Sequence, residues 1–204
     1  QYMNEHITGT GWIAKPERNI RLRECVQVIR ALWAGETVSF QGKHITVDEA
    51  KLFTLPKEAP LLLGAAITPE TAKWVGSWAD GIVTVYKPRE KQQEFIEAFR
   101  EGGGEGKPMF LQAQTSYDTT DKKALDGAYD QWRNSVFESR VLSELRMPNQ
   151  FDAVSELVRP EDMHEHGRIS SSIQQHIEWL QEDVELGFDR IIIHNVNRQQ
   201  EQFI

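Results

Sequence analysis

Two stretches of this chain run through the same residue types: a helix end, a glycine, an aromatic residue, an aspartate, then a β-branched run. Val75-Gly-Ser-Trp-Ala-Asp80-Gly-Ile82 is one, and Glu185-Leu-Gly187-Phe-Asp189-Arg-Ile191 is the other. Each reads as the return of a helix into a strand. Strand-like runs at Leu61–Ala66, Ile82–Val85, Pro108–Tyr117 and Ile191–Ile193 alternate with helical stretches. Alternation of that kind builds a parallel sheet, with right-handed crossovers expected. The pattern leaves a closed barrel and a doubly wound open sheet both standing.

The densest unit is Leu61–Tyr86, read as strand, small-residue loop, helix and strand. Thr68 is a good N-cap and Pro69 a good first helical residue. Ala72, Val75 and Gly76 fall on one helical face. Gly64–Ala66 bring almost no side-chain bulk to the helix N-terminus, where free N–H groups and the helix dipole favour an anion. A cofactor or substrate phosphate fits such a loop, but small-residue βα turns are also common in α/β proteins that bind no phosphate.

Around this unit, Gln1–Pro16 reads as a loop and Pro16 to about Ala34 as an amphipathic helix. The apolar residues of that helix are Ile20, Leu22, Val26, Val28, Ile29, Leu32 and Trp33. Val38–Phe40 and His44–Val47 around Gly42–Lys43 read as a small hairpin. A helix is expected over Glu90–Arg100, ended by a flexible loop at Gly102–Gly104, and another over Asp121–Val136. Ser139–Asp162 is a broken helical stretch and His164–Ser172 a loop. Ile173–Leu186 is a helix with Ile177, Leu180, Val184 and Leu186 apolar. The whole of 1–204 reads as a single domain, with 137–172 a helical insertion within it.

Composition narrows the partners. The 204 residues carry a net charge of −8 without a concentrated basic stripe, which argues against nucleic acid and anionic membrane surfaces. No apolar run is long enough to span a bilayer, and the first residues do not form a signal peptide. The single cysteine, Cys25, leaves no internal disulfide and no cysteine-based metal cluster. A reducing cytoplasm is the expected location. His164-Glu-His166 lacks the spacing of a helical zinc motif, so no metal is expected. Ser170–Ser172 has no paired base and does not read as a hydrolase nucleophile.

Read together, Asn4–Glu5, Gly9, Gly11–Trp12, the helix Pro16–Glu24 running on to Trp33–Glu36, Gly42, Leu52–Pro56, Gly64–Ala66, Pro69–Ala72, Asp80–Gly81 and Gly187–Asp189 make a further pattern. In order and spacing it resembles the second half of the bacterial-luciferase-like flavin and deazaflavin oxidoreductases, which are (β/α)8 barrels of the TIM type. It is most similar to flavin-dependent members related to the deazaflavin-dependent sugar-phosphate dehydrogenases. The resemblance implies a half-barrel with strands five to eight near Leu61–Gly64, Ile82–Val85, Met109–Ser116 and Arg190–His194. It also implies hydride transfer or monooxygenation with FMN or a deazaflavin (coenzyme F-420), which such a truncated chain can lack. Much of the family's ring pocket lies in the first half.

Cofactor-binding residues carried over from the family are Gly64, Ala65, Ala66, Ile67 and Thr68 in the loop after strand five, and Thr84 at the end of strand six. Lys87 falls one residue from a family lysine that binds substrate phosphate. Barrel geometry adds Gln112, Gln114, His194 and Asn195, because residues at strand C-terminal ends face the active mouth. No catalytic residue is assigned. A second possibility is an inactive half-barrel that self-associates through its open sheet edges; on either reading a homodimer or larger homo-oligomer is expected.

Overall fold

A computed structural model describes residues 2–9 and 11–204. The chain divides into two compact units, 1–61 and 62–204.

In the first unit, α1 (Tyr2–Glu5) and a 3-10 turn at His6–Thr8 precede α2 (Lys15–Trp33), and β1 (Val38–Gln41) pairs antiparallel with β2 (Thr46–Ala50) across a bulge. The opening stretch is therefore not the plain loop expected. Tyr2 stacks on Trp12 at 6.4 Å and the Arg18 guanidinium lies 3.9 Å from the centre of the Trp12 ring. On α2, Val26 and Val28 are buried, but Ile20 and Leu22 are exposed and Glu24 points inward.

The hairpin turn is the reason. The Glu24 carboxylate accepts from the backbone N–H groups of Lys43 (2.6 Å), His44 (2.9 Å) and Ile45 (3.1 Å). Burial pushes this carboxyl up, but the three amides outweigh it and hold it below the usual carboxylate range. Glycine at 42 makes room, since a Cβ there would stand 2.5 Å from Glu24 Cδ.

In the second unit, β3 (Leu63–Ala65), β4 (Gly81–Val85), β5 (Met109–Ser116) and β7 (Arg190–Asn195) form a parallel sheet in the order β3-β4-β5-β7. Helix α3 (Pro69–Gly76) connects β3 to β4, and α4 (Arg89–Phe99) connects β4 to β5. Between β5 and β7 come α5 (Asp121–Trp132), α6 (Ser139–Glu144), α7 (Pro148–Ser155), β6 (Arg168–Ile169) and α8 (Ile173–Glu185).

The repeated αβ turns have one physical cause. Asp80 Oδ2 accepts from Leu62 N (2.9 Å) and Asp189 Oδ2 from Met109 N (2.8 Å), while each aspartate's own N–H donates to the same residue's carbonyl. Each aspartate thus clips the start of its strand to the start of a neighbouring one. The preceding glycines differ. Gly187 holds φ +93°, which ends α8 in the left-handed region. Gly76 instead lets α3 approach the chain after α4, because its Cβ would stand 2.5 Å from Phe99 O.

Gly64 marks the face of the sheet that meets the helices. A Cβ there would lie 2.3 Å from Val75 Cγ1 on α3. Side chains alternate along a strand and neighbours in register share a face, so Ile82, Thr84, Met109, Leu111 and Ala113 lie on that side. All five are buried, together with Phe95 and Phe99 of α4. The opposite face carries Val83, Val85, Phe110, Gln112, Gln114, Ile192 and His194. Its apolar members are half-buried or exposed, and Ile192 is 50% exposed. An apolar sheet face is open.

Several expectations give way to packing. Arg100–Gly104 is a wound helical turn against α3, not a loose loop, and Gly104 is buried. The helix from Asp121 ends at Trp132 and tightens to a 3-10 turn at Arg133–Val136. Ala128, Val158 and Met163 form a small core of their own with Leu125, Tyr129, Trp132 and Ile169 around it, so this layer reaches back into α5. Within the expected loop His164–Ser172, β6 adds to the C-terminal end of β5. Thr115 pairs with Asn195 on one side and Arg168 on the other, which places β6 in the column that β4 leaves after Val85.

Candidate active site

The C-terminal ends of β3, β4, β5 and β7 gather most of the residues singled out from sequence. After β3, Ala66 is buried and its N–H donates to Val83 O (3.1 Å), while Ala65 and Ile67 are exposed. Thr68 caps α3 as expected, its hydroxyl accepting from Thr71 N at 3.3 Å. The Ile67 and Thr68 amides meet no acceptor among the described residues. They lie at the N-terminus of α3, where Thr68 is the cap. The place of Gly64 is set by Val75, so its small size serves helix packing.

Thr84 lies on the helix face and is buried. Lys87 folds back onto it: Nζ donates to Thr84 Oγ1 (2.7 Å) and Val85 O (3.1 Å) and lies 4.3 Å from the centre of the Phe95 ring. No carboxylate pairs with it among the described residues. Burial lowers its pKa to about 8.

This shift has a measurable consequence. The folded pKa lies below the ordinary 10.5, so between the two values the unfolded chain binds more protons and stability rises with pH. Below about pH 8 both states carry the charge, and the folded state keeps it in an unfavourable apolar setting. Urea midpoints compared from about pH 7 to 10.5 are expected to climb in the parent relative to Lys87→Met. Parallel curves for the two proteins would refute a buried, depressed Lys87.

On the open face, Gln112 Nε2 donates to His194 Nδ1 (2.9 Å), and the His194 ring meets Trp132 of α5 edge-on at 5.1 Å between centres. Gln114 is 9% exposed and lines a small cleft with Thr115, Ser116, Trp132, Met163 and His166. Asn195, at the end of β7, is buried, and its Oδ1 accepts from Tyr117 N (3.2 Å). It fixes the end of β5. Gln112, Gln114 and His194 are thus brought together on one face, whereas Thr84, Gly64 and Asn195 are taken up in packing behind it.

Three further features were not found from sequence. Arg168 of β6 and Asp183 of α8 form a bidentate ion pair (Nη2–Oδ1 2.8 Å, with a second contact from Nη1 to Oδ2), and the guanidinium lies 4.3 Å from the centre of the Tyr86 ring. Both side chains are buried. Asp183 takes the inward place expected of its apolar neighbours, while Ile177 and Val184 are exposed. At the end of β5, Asp118 accepts from Thr119 N (2.6 Å) and from Asn197 Nδ2 (3.1 Å). The Thr119 amide, outweighing burial, holds its carboxyl below the usual range. Trp132, closing α5, is the third. The signals were faint: one charged residue in an amphipathic helix, an Asp-Thr pair and one tryptophan.

A parallel α/β sheet with polar groups collected at its strand C-terminal ends and an apolar face below them is a small-molecule-binding architecture. Residues 4–190 match the luciferase-like monooxygenase family, and the chain belongs to it. It is 27% identical over 210 residues to an F-420-dependent glucose-6-phosphate dehydrogenase of Beutenbergia cavernae, covering 99% of this chain and 62% of that protein. The fold is shared with an F-420-dependent secondary alcohol dehydrogenase solved with an F-420–acetone adduct (TM-score 0.80, 23% identity, 92% of this chain and 59% of that one). It is also shared with a riboflavin lyase solved with modified FMN and riboflavin (TM-score 0.67, 14% identity, 98% of this chain and 57% of that one). The chain therefore spans about 62% of the length of the curated relative. Among the described residues no helix is long and apolar enough to cross a membrane, and no cluster of His, Cys, Asp and Glu could hold a metal ion.

Proposed function

We propose that this chain is the C-terminal part of a luciferase-like oxidoreductase that binds FMN or a deazaflavin, with β3, β4, β5 and β7 as strands five to eight of a (β/α)8 barrel. The observation that carries this reading is the open face: Val83, Val85, Phe110 and Ile192 offer an apolar wall for a planar ring system, with Gln112, Gln114 and His194 at its C-terminal rim. The unpaired Ile67 and Thr68 amides suit an anionic tail. A bound flavin-type cofactor supplies hydride or oxygen chemistry; these residues bind and orient it and exclude water from its face.

The test is a fluorescence titration of the purified chain with FMN and with coenzyme F-420. Saturable binding of one of them is expected. Ile192→Asp, which sets a charge in the middle of the apolar wall, is expected to weaken it by more than about tenfold. Absence of saturable binding, or equal affinity in the variant, refutes the reading.

A second reading has its own observation. Strands β3 and β7 each pair on one side only among the described residues, and Ile192 and Ile193 of β7 are both exposed. Open edges of this kind favour self-association, and a homodimer that lacks cofactor would fit them. Light scattering at micromolar concentration separates the two: a cofactor-free dimer supports self-association as the main role, and a stable monomer rules it out.

A further inference from the structure

We infer that His194 is a fixed hydrogen-bond donor, through Nε2–H, to a carbonyl oxygen on the pyrimidinedione edge that FMN and deazaflavins share. The inference rests on the cofactor reading above and goes beyond it by giving one side chain a defined protonation state and ligand atom.

A glutamine Nε2 carries only hydrogens, so it donates. With Gln112 Nε2 placed 2.9 Å away, His194 Nδ1 accepts in the neutral tautomer that this amide favours. A neutral imidazole with an unprotonated Nδ1 carries its hydrogen on Nε2. Trp132 packs edge-on against the same ring, which holds its orientation from a third element. Nε2 meets no protein acceptor among the described residues. The ring belongs to the open face, two residues on from Ile192 and directly across from Gln114, with Gln112 next along β5 on the same face.

The simpler account is a histidine satisfied in place, and it leaves two facts unexplained. Only one ring nitrogen meets a partner among the described residues, and that partner is the amino group of a neighbouring amide. A partner at Nδ1 that sets the tautomer and leaves Nε2–H outward is the arrangement by which proteins present imidazole as a neutral donor. The matching acceptor is a neutral oxygen. The pyrimidinedione carbonyls are of that kind, and the apolar wall of Val83, Val85 and Phe110 lies on the same face for the ring that bears them.

The test is two-bond proton–nitrogen NMR on the histidine rings of the intact chain, with His194 assigned by His194→Gln. The free protein is expected to show an unprotonated Nδ1 and a protonated Nε2 at His194. Saturating FMN is expected to shift Nε2 while Nδ1 keeps its acceptor signature. Gln112→Glu, whose carboxylate accepts from the ring, is expected to draw a proton onto Nδ1 and weaken FMN by about five- to tenfold, the value of one hydrogen bond. If FMN binds but His194 carries its proton on Nδ1, or Nε2 does not move, the inference is overturned and the cofactor reading stands. If neither FMN nor coenzyme F-420 binds the parent chain, the cofactor reading fails and the inference falls with it.

Discussion

Asp183→Asn is expected to cost the 62–204 unit about 3–5 kcal/mol, because it leaves the Arg168 guanidinium buried without its counter-charge. The pair joins β6 to α8, and both side chains are almost wholly shut off from water, at 5% and 3% exposure. At the usual slope for a unit of this size the loss corresponds to a fall in Tm of about 6–20 °C. The double variant Arg168→Met with Asp183→Leu is expected to recover most of it, since well-packed apolar side chains replace a buried ion pair with little loss. Thermal melts of parent, single and double variants check the cycle. A single variant within about 0.5 kcal/mol of the parent would mean that the pair is wet and weak.

The second large effect is at Gly102. A Cβ at this position would stand 1.9 Å from Lys73 O and 2.6 Å from its carbonyl carbon. Backbone cannot swing aside as a side chain does, so Gly102→Ala must separate α3 from the turn after α4. About 3 kcal/mol is expected, the upper end for overpacking. Gly64→Ala makes a useful contrast, because its obstacle is the Val75 side chain at 2.3 Å. That variant is expected to be rescued by Val75→Ala, whereas no truncation of a neighbouring side chain rescues Gly102→Ala. Gly106, at φ +72° with nothing within 4 Å, serves as the control: alanine there costs only the backbone preference, about 1–2 kcal/mol. Urea midpoints for these single and double variants decide the matter, and rescue of Gly102→Ala by shortening Lys73 would refute the backbone clash.

Both predictions lie on features that local sequence patterns do not carry. Short-range pattern was informative wherever the cause was short-range. The capping Thr68 and first-turn Pro69, the left-handed stop at Gly187 and the β-branched runs of β4 and β7 each follow from steric and hydrogen-bonding rules that act over a few residues. The twin aspartate turns were readable for the same reason, although the partners they clip, Leu62 and Met109, were not. Those partners are set by which strands neighbour one another.

Misreadings occurred where a polar group had a distant partner. Glu24 points inward on α2 because a hairpin turn about twenty residues later offers it three amides. Asp183 points inward on α8 because β6 delivers Arg168 to it. In each helix, apolar periodicity alone missed the charged residue that points inward and placed some exposed apolar residues beside it.

The candidate site divides in the same way. That polar residues along β5 and β7 would share a face follows from strand order and the period of two, so the placing of Gln112, Gln114 and His194 together was legible. Thr84 and Gly64 were assigned by position in a motif, and the register then turned both toward the helices. The sequence by itself determined the parallel α/β class, the helix caps and the residues at the strand ends, because these depend on local sterics and on periodicity. Only the tertiary structure decided which face each strand turns to the helices, which buried charge meets which, and that Gln112 meets the His194 ring. Those depend on register and on contacts between residues up to about eighty apart, such as the pair Gln112 and His194, and no local rule encodes them.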